Sequence, residues 1–413
     1  RIPEGVFIGE SAFANCGQAG SAIEKIVLPN GWNIEDGGDF IFENNDYVRE
    51  LDISGALYIQ PYMFRNSYRL KTKSNTFGEN LSGIGASAFQ NTNVGVDVGF
   101  DNYSDVYIPS GVKYIGPYAF EGNNWTSGLS FHENSSLERI ENYSFQNFAN
   151  GSVSNKSYYL ESPLYLFSGV QNDLIIPTGV RHIGTSSFKG YYSERHDIYV
   201  GSGVSGFGSS SFADVNCRDF HWSGTSDLKK MPNSFLANAK VSGLYMEDLD
   251  FEKFDYQCFF GFEQTGLNPN RDFVFNSGLS QISTQAFQGS DWQLDFSQVI
   301  GEVSLFTTDF GTNNQGQFNL NKHSGTLTLP KLNDAGFYSV FSNMLYLEEV
   351  IFQTSTTPHN ISINMFKDCV ELTGVTFPDN LTNIEYTAFD GCEKLKEIDI
   401  RATEVTYINN QAF

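Results

Sequence analysis

The amino-acid sequence predicts a repeat solenoid built mainly from β-structure, and a recurring motif with near-equal spacing supports this. The motif is a Phe that follows an Ile by five residues, and its purest copies are IGESAF (Ile8–Phe13), IGASAF (Ile84–Phe89), IGPYAF (Ile115–Phe120) and IGTSSF (Ile183–Phe188). The spacing is clearest near the end, where intervals of 25, 23 and 24 residues separate Phe341, Phe366, Phe389 and Phe413. Periods of this length indicate stacked supersecondary units rather than an ordinary globular enzyme.

The other half of each unit is a short β-like run that often ends in Pro. Examples are IVLP (Ile26–Pro29), VYIP (Val106–Pro109), LIIP (Leu174–Pro177), LTLP (Leu327–Pro330) and VTFP (Val375–Pro378). β-Branched and aromatic residues favour extended structure, and Pro ends a strand because it donates no hydrogen bond to a ladder. A polar turn follows, and the Gly and small residues of the Phe motif then permit a tight bend.

Stacking such units pairs equivalent strands in parallel and aligns the Phe side chains inside. Because parallel crossovers are almost always right-handed, we expect a right-handed, leucine-rich-repeat-like coil with little regular helix. At 23–25 residues each, the chain has room for about 16 repeats. We expect a single solenoid over residues 1–413, with irregular stretches near 30–60, 146–170 and 288–340. Those stretches are either degenerate repeats or loops that project from the scaffold.

The repeat resembles a known family in several places at once. The segments DVYIPSGVKYIGPYAFEGN (Asp105–Asn123) and ELTGVTFPDNLTNIEYTAFDGCEKLKEIDI (Glu371–Ile400) are similar to the BspA-like leucine-rich-repeat surface proteins. Their shared pattern is an L-x-x-I-x-I-P strand, a V-x-x-I-G turn and A-F-x-x-C. The resemblance recurs from Ile2 to Phe413 and is strongest in residues 106–145, 174–235 and 347–413. It implies an exported bacterial or protozoan surface protein, typically involved in adhesion.

Composition excludes some partners. The net charge is −23, from 48 acidic and 25 basic residues, and the pI is about 4.5. Nucleic-acid binders carry a basic patch and a high pI, so DNA and RNA are excluded as partners. No run of 18 apolar residues exists, so we expect no transmembrane segment. We expect a monomer that binds an extracellular or surface protein or a glycan, exported and anchored through a region missing from this chain.

The residues with catalytic or metal-binding chemistry do not form a recognisable constellation. The five Cys are widely spaced, and three of them follow a motif Phe by three residues, which indicates small buried hydrophobes. The six His lack metal-ligand spacing, and no nucleophile or phosphate-loop motif is present. The acidic run EDGGD (Glu35–Asp39) has Ca²⁺-type ligands, but a solvated loop explains it more simply. We therefore predict no enzyme activity, no catalytic residues, no cofactor and no metal.

The predicted binding surface is the outward row of the strand stack. Alternate strand residues point to opposite faces, so one residue of each strand contributes to this row. Its members are Val27, Asp52, Tyr107, Ser130, Ile175, Tyr199, His221, Tyr245, Val274, Thr328, Ile351, Thr376 and Asp399. The central part is unusually aromatic and apolar, and it gives the candidate ligand-binding residues Tyr107, Ile175, Tyr199, His221, Tyr245 and Val274.

Three functions remain open on this basis. The first is a non-enzymatic adhesion or recognition module that uses the outward strand face and the loops. The second is a structural stalk or spacer, in which Tyr and Ile merely suit strands. The third is glycan capture or carbohydrate-active chemistry, which requires a pocket where carboxylates and aromatic rings converge.

Overall fold

The computed structural model describes most of the chain. The described residues are 2–16, 23–46, 48, 50–68, 70, 72–92, 106–123, 129–148, 173–193, 196–223, 228–247, 250–266, 271–306, 317–318, 320–333, 338–354 and 358–413. They form two compact units, the first of residues 1–225 with 241–247, the second of residues 226–240 with 248–413. That one solenoid extends over 1–413 stays a prediction.

The first unit consists of short strands joined by turns and bends. Its strands are Lys25–Val27, Glu50–Ile53, Tyr58–Ile59, Thr72–Phe77, Gly83–Ile84, Val106–Ile108, Tyr114–Ile115, Leu129–Phe131, Arg139–Ile140, Leu174–Ile175, His182–Ile183, Tyr192–Ser193, Ile198–Val200, Gly206–Phe207, Asn216–Ser223 and Lys240–Glu247. A single 3-10 turn at Ile34–Asp36 begins at Asn33, whose side chain accepts from the Ile34 amide. The carboxylate of Asp36 in turn accepts from the Asn33 amide, so this acidic loop is used as a capping box.

The second unit has the same construction. Its strands are Lys230–Met231, Lys253–Phe254, Glu263–Gln264, Asp272–Val274, Gln281–Ser283, Gln293–Asp295, Glu302–Phe306, Gly325–Thr328, Lys331–Leu332, Leu347–Ile351, His359–Ile361, Gly374–Thr376, Leu381–Ile384 and Tyr407–Ile408. Strands of consecutive turns pair in parallel, as in the register Val350↔Val375. The predicted parallel, nearly helix-free coil is therefore confirmed, with about 13 turns, slightly fewer than the expected 16.

Turn lengths vary more than the sequence motif suggests. Phe145 and Phe188 are 43 residues apart, yet their rings stack directly at 5.5 Å, so they belong to adjacent turns. Most of the irregular stretch near 146–170 lies between them, outside the described residues. The stretch near 30–60 contributes Phe42, and the one near 288–340 contributes Phe318, which stacks between Phe287 and Phe341. These two stretches therefore each contain a repeat whose ladder Phe is present although the Ile-x-x-x-x-Phe motif is not.

The core of the described residues is a ladder of Phe rings, with one ring from most turns. Phe89 stacks on Phe64 and on Phe120 with centroid distances of 5.4 Å, and Phe120 stacks on Phe145 at the same distance. These rings are fully or almost fully buried. Burying one such side chain contributes roughly 1.5–3 kcal/mol. The repeated Phe therefore acts as scaffold, and stability comes from stacking between turns.

One turn of the second unit departs from the expected ladder. The sequence spacing predicts that Phe235 is the ladder residue between Phe212 and Phe259. In other turns the ladder residue lies midway between two residues with positive φ, as Phe89 does between Ser87 and Asn91. Here those two residues are Ser234 and Asn238, so Leu236 occupies the ladder position. The Leu236 amide accordingly donates to the Cys258 carbonyl, the residue before Phe259. The expectation for Phe235 was wrong by one residue, although Phe235 is itself buried.

Each bend needs two residues in the left-handed backbone region, at two positions before and two after the ladder Phe. Around Phe89 these are Ser87 and Asn91, with φ of 54° and 55°. The second position is usually Asn, Asp or Gly, the residues that adopt this conformation most readily. Asn side chains also link turns there, since Asn91 Nδ2 donates to Asn66 Oδ1 at 2.9 Å.

The cysteines are structural, as the sequence indicated. All five are free, and Cys217, Cys258 and Cys369 are buried. The thiols of Cys369 and Cys392 donate to carbonyl oxygens one turn away, each at 3.2 Å. Burial raises the pKa of both thiols, that of Cys392 to about 12, so neither is a ready nucleophile.

Candidate functional site

Part of the predicted outward row is continuous, because the register of the parallel strands brings neighbouring members side by side. In the first unit Ile175 lies opposite Tyr199, and Tyr199 lies opposite His221. Leu174, Ile198 and Phe220 are buried on the other face of the same strands. All thirteen predicted row residues are half-exposed or exposed. The alternation of strand side chains thus assigned the outward face correctly.

The aromatic members form a stacked ladder of their own. The imidazole of His221 lies between two Tyr rings, 4.5 Å from the centroid of Tyr199 and 4.6 Å from that of Tyr245. The rings are nearly parallel, with interplanar angles of 6° and 7°. Ile175 extends the row at one end and is 61% exposed. These four side chains make a continuous apolar and aromatic surface on one sheet.

A column of carboxylates lies beside this ladder, two residues earlier in each strand. Asp173, Asp197 and Asp219 occupy it, and the Asp197 amide donates to Oδ1 of Asp173 at 2.9 Å. The next strand has Gly243 there, and a Cβ at Gly243 would lie 2.9 Å from both Asp219 Oδ1 and the Tyr245 ring. Glycine at this position therefore gives the Tyr245 ring room to lie against the column.

Asp197 is the best-connected member of the column. Arg218 donates to both of its carboxylate oxygens at 2.7 Å, a bidentate pair, and Asp219 donates its backbone amide at 3.2 Å. Burial opposes ionisation of Asp197, but these bonds prevail and hold its pKa below the ordinary value. Asp219 behaves differently: burial and the neighbouring Asp197 charge raise its pKa.

The Tyr199 hydroxyl is tied into the same network. It donates to Oδ2 of Asp197 at 3.1 Å, and this bond, followed by burial, raises the pKa of Tyr199. The polar end of the ring is thereby satisfied inside the protein. The hydrogen bond therefore holds the Tyr199 ring in a defined position.

The structure also assembles one group of three metal-type ligands within the described residues. Ligand atoms of Asp197, Asp219 and His221 lie within 4.8 Å of one another, although the sequence showed no such spacing. Arg218 already neutralises Asp197 and bonds both of its oxygens. A metal ion would have to displace that guanidinium, so the trio is better described as an ion-pair network than as a metal centre.

Two of the six predicted residues are not among the stacked members of the ladder. Tyr107 is half-buried opposite Ser130, and its ring meets His132 edge-on at 6.3 Å. Val274 is 46% exposed and lies opposite Asp295 in the second unit. The structure therefore brings four of the six together, Ile175, Tyr199, His221 and Tyr245, and leaves Tyr107 and Val274 as separate outward positions.

Comparison with known proteins identifies the family. The profile of the BspA-type leucine-rich-repeat region matches six copies, over residues 1–96, 99–218, 163–293 and 318–413. The chain belongs to the BspA-type leucine-rich-repeat family. No relative among curated proteins matches it. Within the described part of the chain, no helical segment has the length and hydropathy of a membrane span.

One solved structure supports the fold. A leucine-rich-repeat protein from Bacteroides ovatus superposes with a TM-score of 0.56 at 16% identity, covering 98% of this chain and 87% of its own. A leucine-rich cell surface protein from Faecalibacterium prausnitzii is 17% identical, with a TM-score of 0.39 over 81% of this chain and 74% of its own. The first of these likenesses supports a leucine-rich-repeat coil and nothing finer.

A second set of aromatic side chains on the BspA-type bends was missed from the sequence. These residues stand two positions before the ladder Phe, at positive φ: Phe40, Tyr62, Tyr118 and Tyr143. Phe40 stacks on Tyr62 at 4.4 Å, and Tyr118 stacks on Tyr143 at 4.7 Å. An alignment of the bends would show this column, because these four turns have an aromatic residue at the position where IGESAF, IGASAF and IGTSSF have Ser.

Proposed function

We propose that this chain is a non-enzymatic recognition module of an exported surface protein, which binds partner proteins or glycans through the outward strand face. The single observation that supports this best is the preorganised ladder Tyr199–His221–Tyr245 with exposed Ile175 at its end. Aromatic side chains give large contact area at low conformational cost and dominate binding surfaces. Membership of the BspA-type family supports surface display, because the BspA-like proteins that the repeat resembles are surface proteins.

The spacer function is the second candidate, and a specific contact favours it. The Tyr199 hydroxyl bonds Asp197 inside the protein, so the ladder contributes to the strength of the sheet itself. Glycan processing has less support. The cavity bounded by Phe389, Cys392, Glu393, Leu395 and Phe413 contains a single carboxylate, whereas glycoside hydrolysis uses a pair.

The test is a binding screen of the purified chain against extracellular-matrix proteins and glycan arrays. The double variant Tyr199→Ala/Tyr245→Ala removes both outer rings of the ladder. A matched control is Tyr346→Ala/Tyr407→Ala, since these rings are 55% and 53% exposed and lie outside the ladder. The recognition hypothesis expects the first variant to lose at least tenfold in affinity for a captured partner while the control binds normally. Equal binding by both variants would favour the spacer function.

A further inference from the structure

The aromatic column of Phe40, Tyr62, Tyr118 and Tyr143 on the bends of the first unit is interrupted at Ser87. Tyr62 and Tyr118 form the two walls of the gap. The column runs in register, because the Tyr62 amide donates to the Ala86 carbonyl, the Ser87 amide to Pro117 and the Tyr118 amide to Asn142. Tyr62 and Tyr118 therefore lie one turn to either side of Ser87. Each has a ring stacked on its outer face, and Ser87 supplies no ring between them.

The gap is wide enough for one planar group. The core rings of these turns rise by 5.4 Å from Phe64 to Phe89 and by 5.4 Å again to Phe120. A planar group needs about 3.5–4 Å to the ring on each side, which is less than two such steps. Ser87 is buried at the floor, while Tyr118 is 37% exposed. The walls thus remain accessible above a small floor residue.

The carboxylate of Glu121 stands beside the gap. Glu121 follows the ladder Phe of the Tyr118 turn, and Oε2 accepts a 2.5 Å hydrogen bond from Gln90. Among the described residues no Lys, Arg or His forms an ion pair with it. Burial raises the pKa of Glu121, as expected for a half-buried carboxylate that lacks a positive neighbour. Burial, Tyr143, Glu121 and Tyr62 together raise the pKa of Tyr118, which places both Glu121 and Tyr62 within its electrostatic reach.

The same column already holds a guanidinium against its rings, at a place where two rings stack directly on each other at 4.4 Å. The guanidinium of Arg65 lies over the rings of Phe40 and Tyr62, at 5.2 and 4.8 Å from their centroids. Arg65 also pairs with Glu43, the residue that follows the ladder Phe of the preceding turn. A guanidinium against aromatic rings with a carboxylate beside it is therefore a built arrangement in this column. Around Ser87 the rings and the carboxylate recur, and no Lys, Arg or His of the described residues pairs with that carboxylate.

We propose that the slot formed by Tyr62, Ser87, Tyr118 and Glu121 binds the guanidinium of an arginine side chain presented by a partner polypeptide. A guanidinium is planar, stacks between aromatic faces and pairs with a carboxylate through two N–H groups, whereas an ammonium group does not stack. The net charge of −23 favours approach of a basic segment. The slot shares no residue with the Tyr199–His221–Tyr245 ladder, so the two proposals stand or fall separately.

The probes are blocked Gly-Arg-Gly and its Lys and citrulline analogues, with binding measured by calorimetry and ligand-observed NMR. The arginine peptide should bind, the lysine peptide at least fivefold more weakly, and the citrulline peptide at least tenfold more weakly. Glu121→Gln should reduce arginine binding at least tenfold. Ser87→Tyr should abolish it by filling the slot with a ring that the column accepts at Tyr62 and Tyr118.

The matched control is Ser186→Tyr, at the same bend position one turn after Tyr143. In the turn that follows Ser186, Ala213 stands at the position of Glu121, so no carboxylate is present there. It should leave arginine binding unchanged, as should Tyr199→Ala/Tyr245→Ala. Thermal unfolding of each variant shows whether it is folded, and Glu121→Gln decides the question if Ser87→Tyr is not. Absence of arginine binding, citrulline binding within twofold of arginine, or competition by neutral sugars alone would overturn the proposal.

Discussion

The hydroxyl of Tyr199 donates to Oδ2 of Asp197 at 3.1 Å, from a ring that stacks face to face on His221. This bond links the aromatic ladder to the carboxylate column beneath it. Asp197, the central carboxylate of that column, pairs with Arg218, whose side chain is 49% exposed while that of Asp197 is only 6% exposed. The surface that the row presents to solvent therefore depends on an ion pair whose carboxylate is buried and whose guanidinium is half-exposed.

Replacing Arg218 should expose that dependence. Arg218→Ala leaves the Asp197 carboxylate buried without its cation, and we expect a loss of about 1.5–3 kcal/mol in unfolding free energy, measured by urea denaturation. Arg401→Ala is the control, because the Arg401–Asp399 pair lies on the surface and such pairs contribute about 0–1 kcal/mol. Equal losses in the two variants would show that the Asp197 network is not structurally special.

The Phe ladder gives a second prediction. Phe120 is fully buried between Phe89 and Phe145, so Phe120→Ala should leave a cavity and cost about 3–5 kcal/mol in the same denaturation experiment. Phe7→Ala is the control, since Phe7 is 66% exposed and its removal should change stability little. A loss below about 1 kcal/mol at Phe120 would contradict the role of the ladder as the core.

The core and the strands could be predicted from the sequence because their residues recur in each repeat. Ile-x-x-x-x-Phe and the Pro-closed strands recur, so equivalent positions such as Ile175 and Tyr199 align by their phase in the repeat alone. Alternation along a strand then assigns the outward face, as the register confirms. The sequence did not predict Leu236 as a ladder residue, because the neighbouring Phe235 has the expected residue type. Only the backbone conformation, with positive φ at Ser234 and Asn238, shows that Leu236 occupies the ladder position.

The parts that the sequence did not reveal are contacts between turns that no repeated residue marks. The neighbouring turns have His196 and Ser242 at the position of Arg218, so the repeat does not mark this position with an Arg. The pairing of Arg218 with Asp197 follows only from the strand register, in which the Arg218 amide donates to the His196 carbonyl at 3.1 Å. The bend column was equally hidden. Tyr118 looks like a variable bend residue until stacking on Tyr143 and the gap at Ser87 are seen together.

Stability should fall in mild acid through His359. This imidazole is 2% exposed and packs against Phe352, and burial lowers its pKa from 6.5 to about 4. Between those two pH values the unfolded chain binds a proton that the folded chain does not. The contribution of His359 is therefore complete above about pH 6.5 and is lost progressively as the pH falls towards 4, by up to about 3 kcal/mol.

The variant His359→Gln separates this effect from the titration of the carboxylates. Denaturation at pH 7.5 and pH 4.5 should show a smaller pH dependence for the variant than for the natural chain. Ile361→Val, two residues along the same strand, is a matched control that removes a buried methyl group and no titratable one. Its cost, roughly 0.5–1.5 kcal/mol, should be the same at both pH values. An unchanged pH dependence in His359→Gln would exclude this imidazole as the cause.

The last prediction concerns the left-handed bend position after the ladder Phe. Gly122 has a φ of 72°, and a Cβ there would lie 2.4 Å from Oδ1 of Asn91, the equivalent residue one turn away. Gly122→Ala therefore meets both backbone strain and a clash, and should cost more than about 1 kcal/mol. Gly9 lacks a positive φ and has nothing within 4 Å of its Cβ position, so Gly9→Ala should be neutral or slightly stabilising. Thermal unfolding of the two variants compares them directly. A Gly122→Ala protein as stable as Gly9→Ala would mean that the bends accept ordinary backbone geometry, and that the recurrence of Asn, Asp and Gly at this position has another cause.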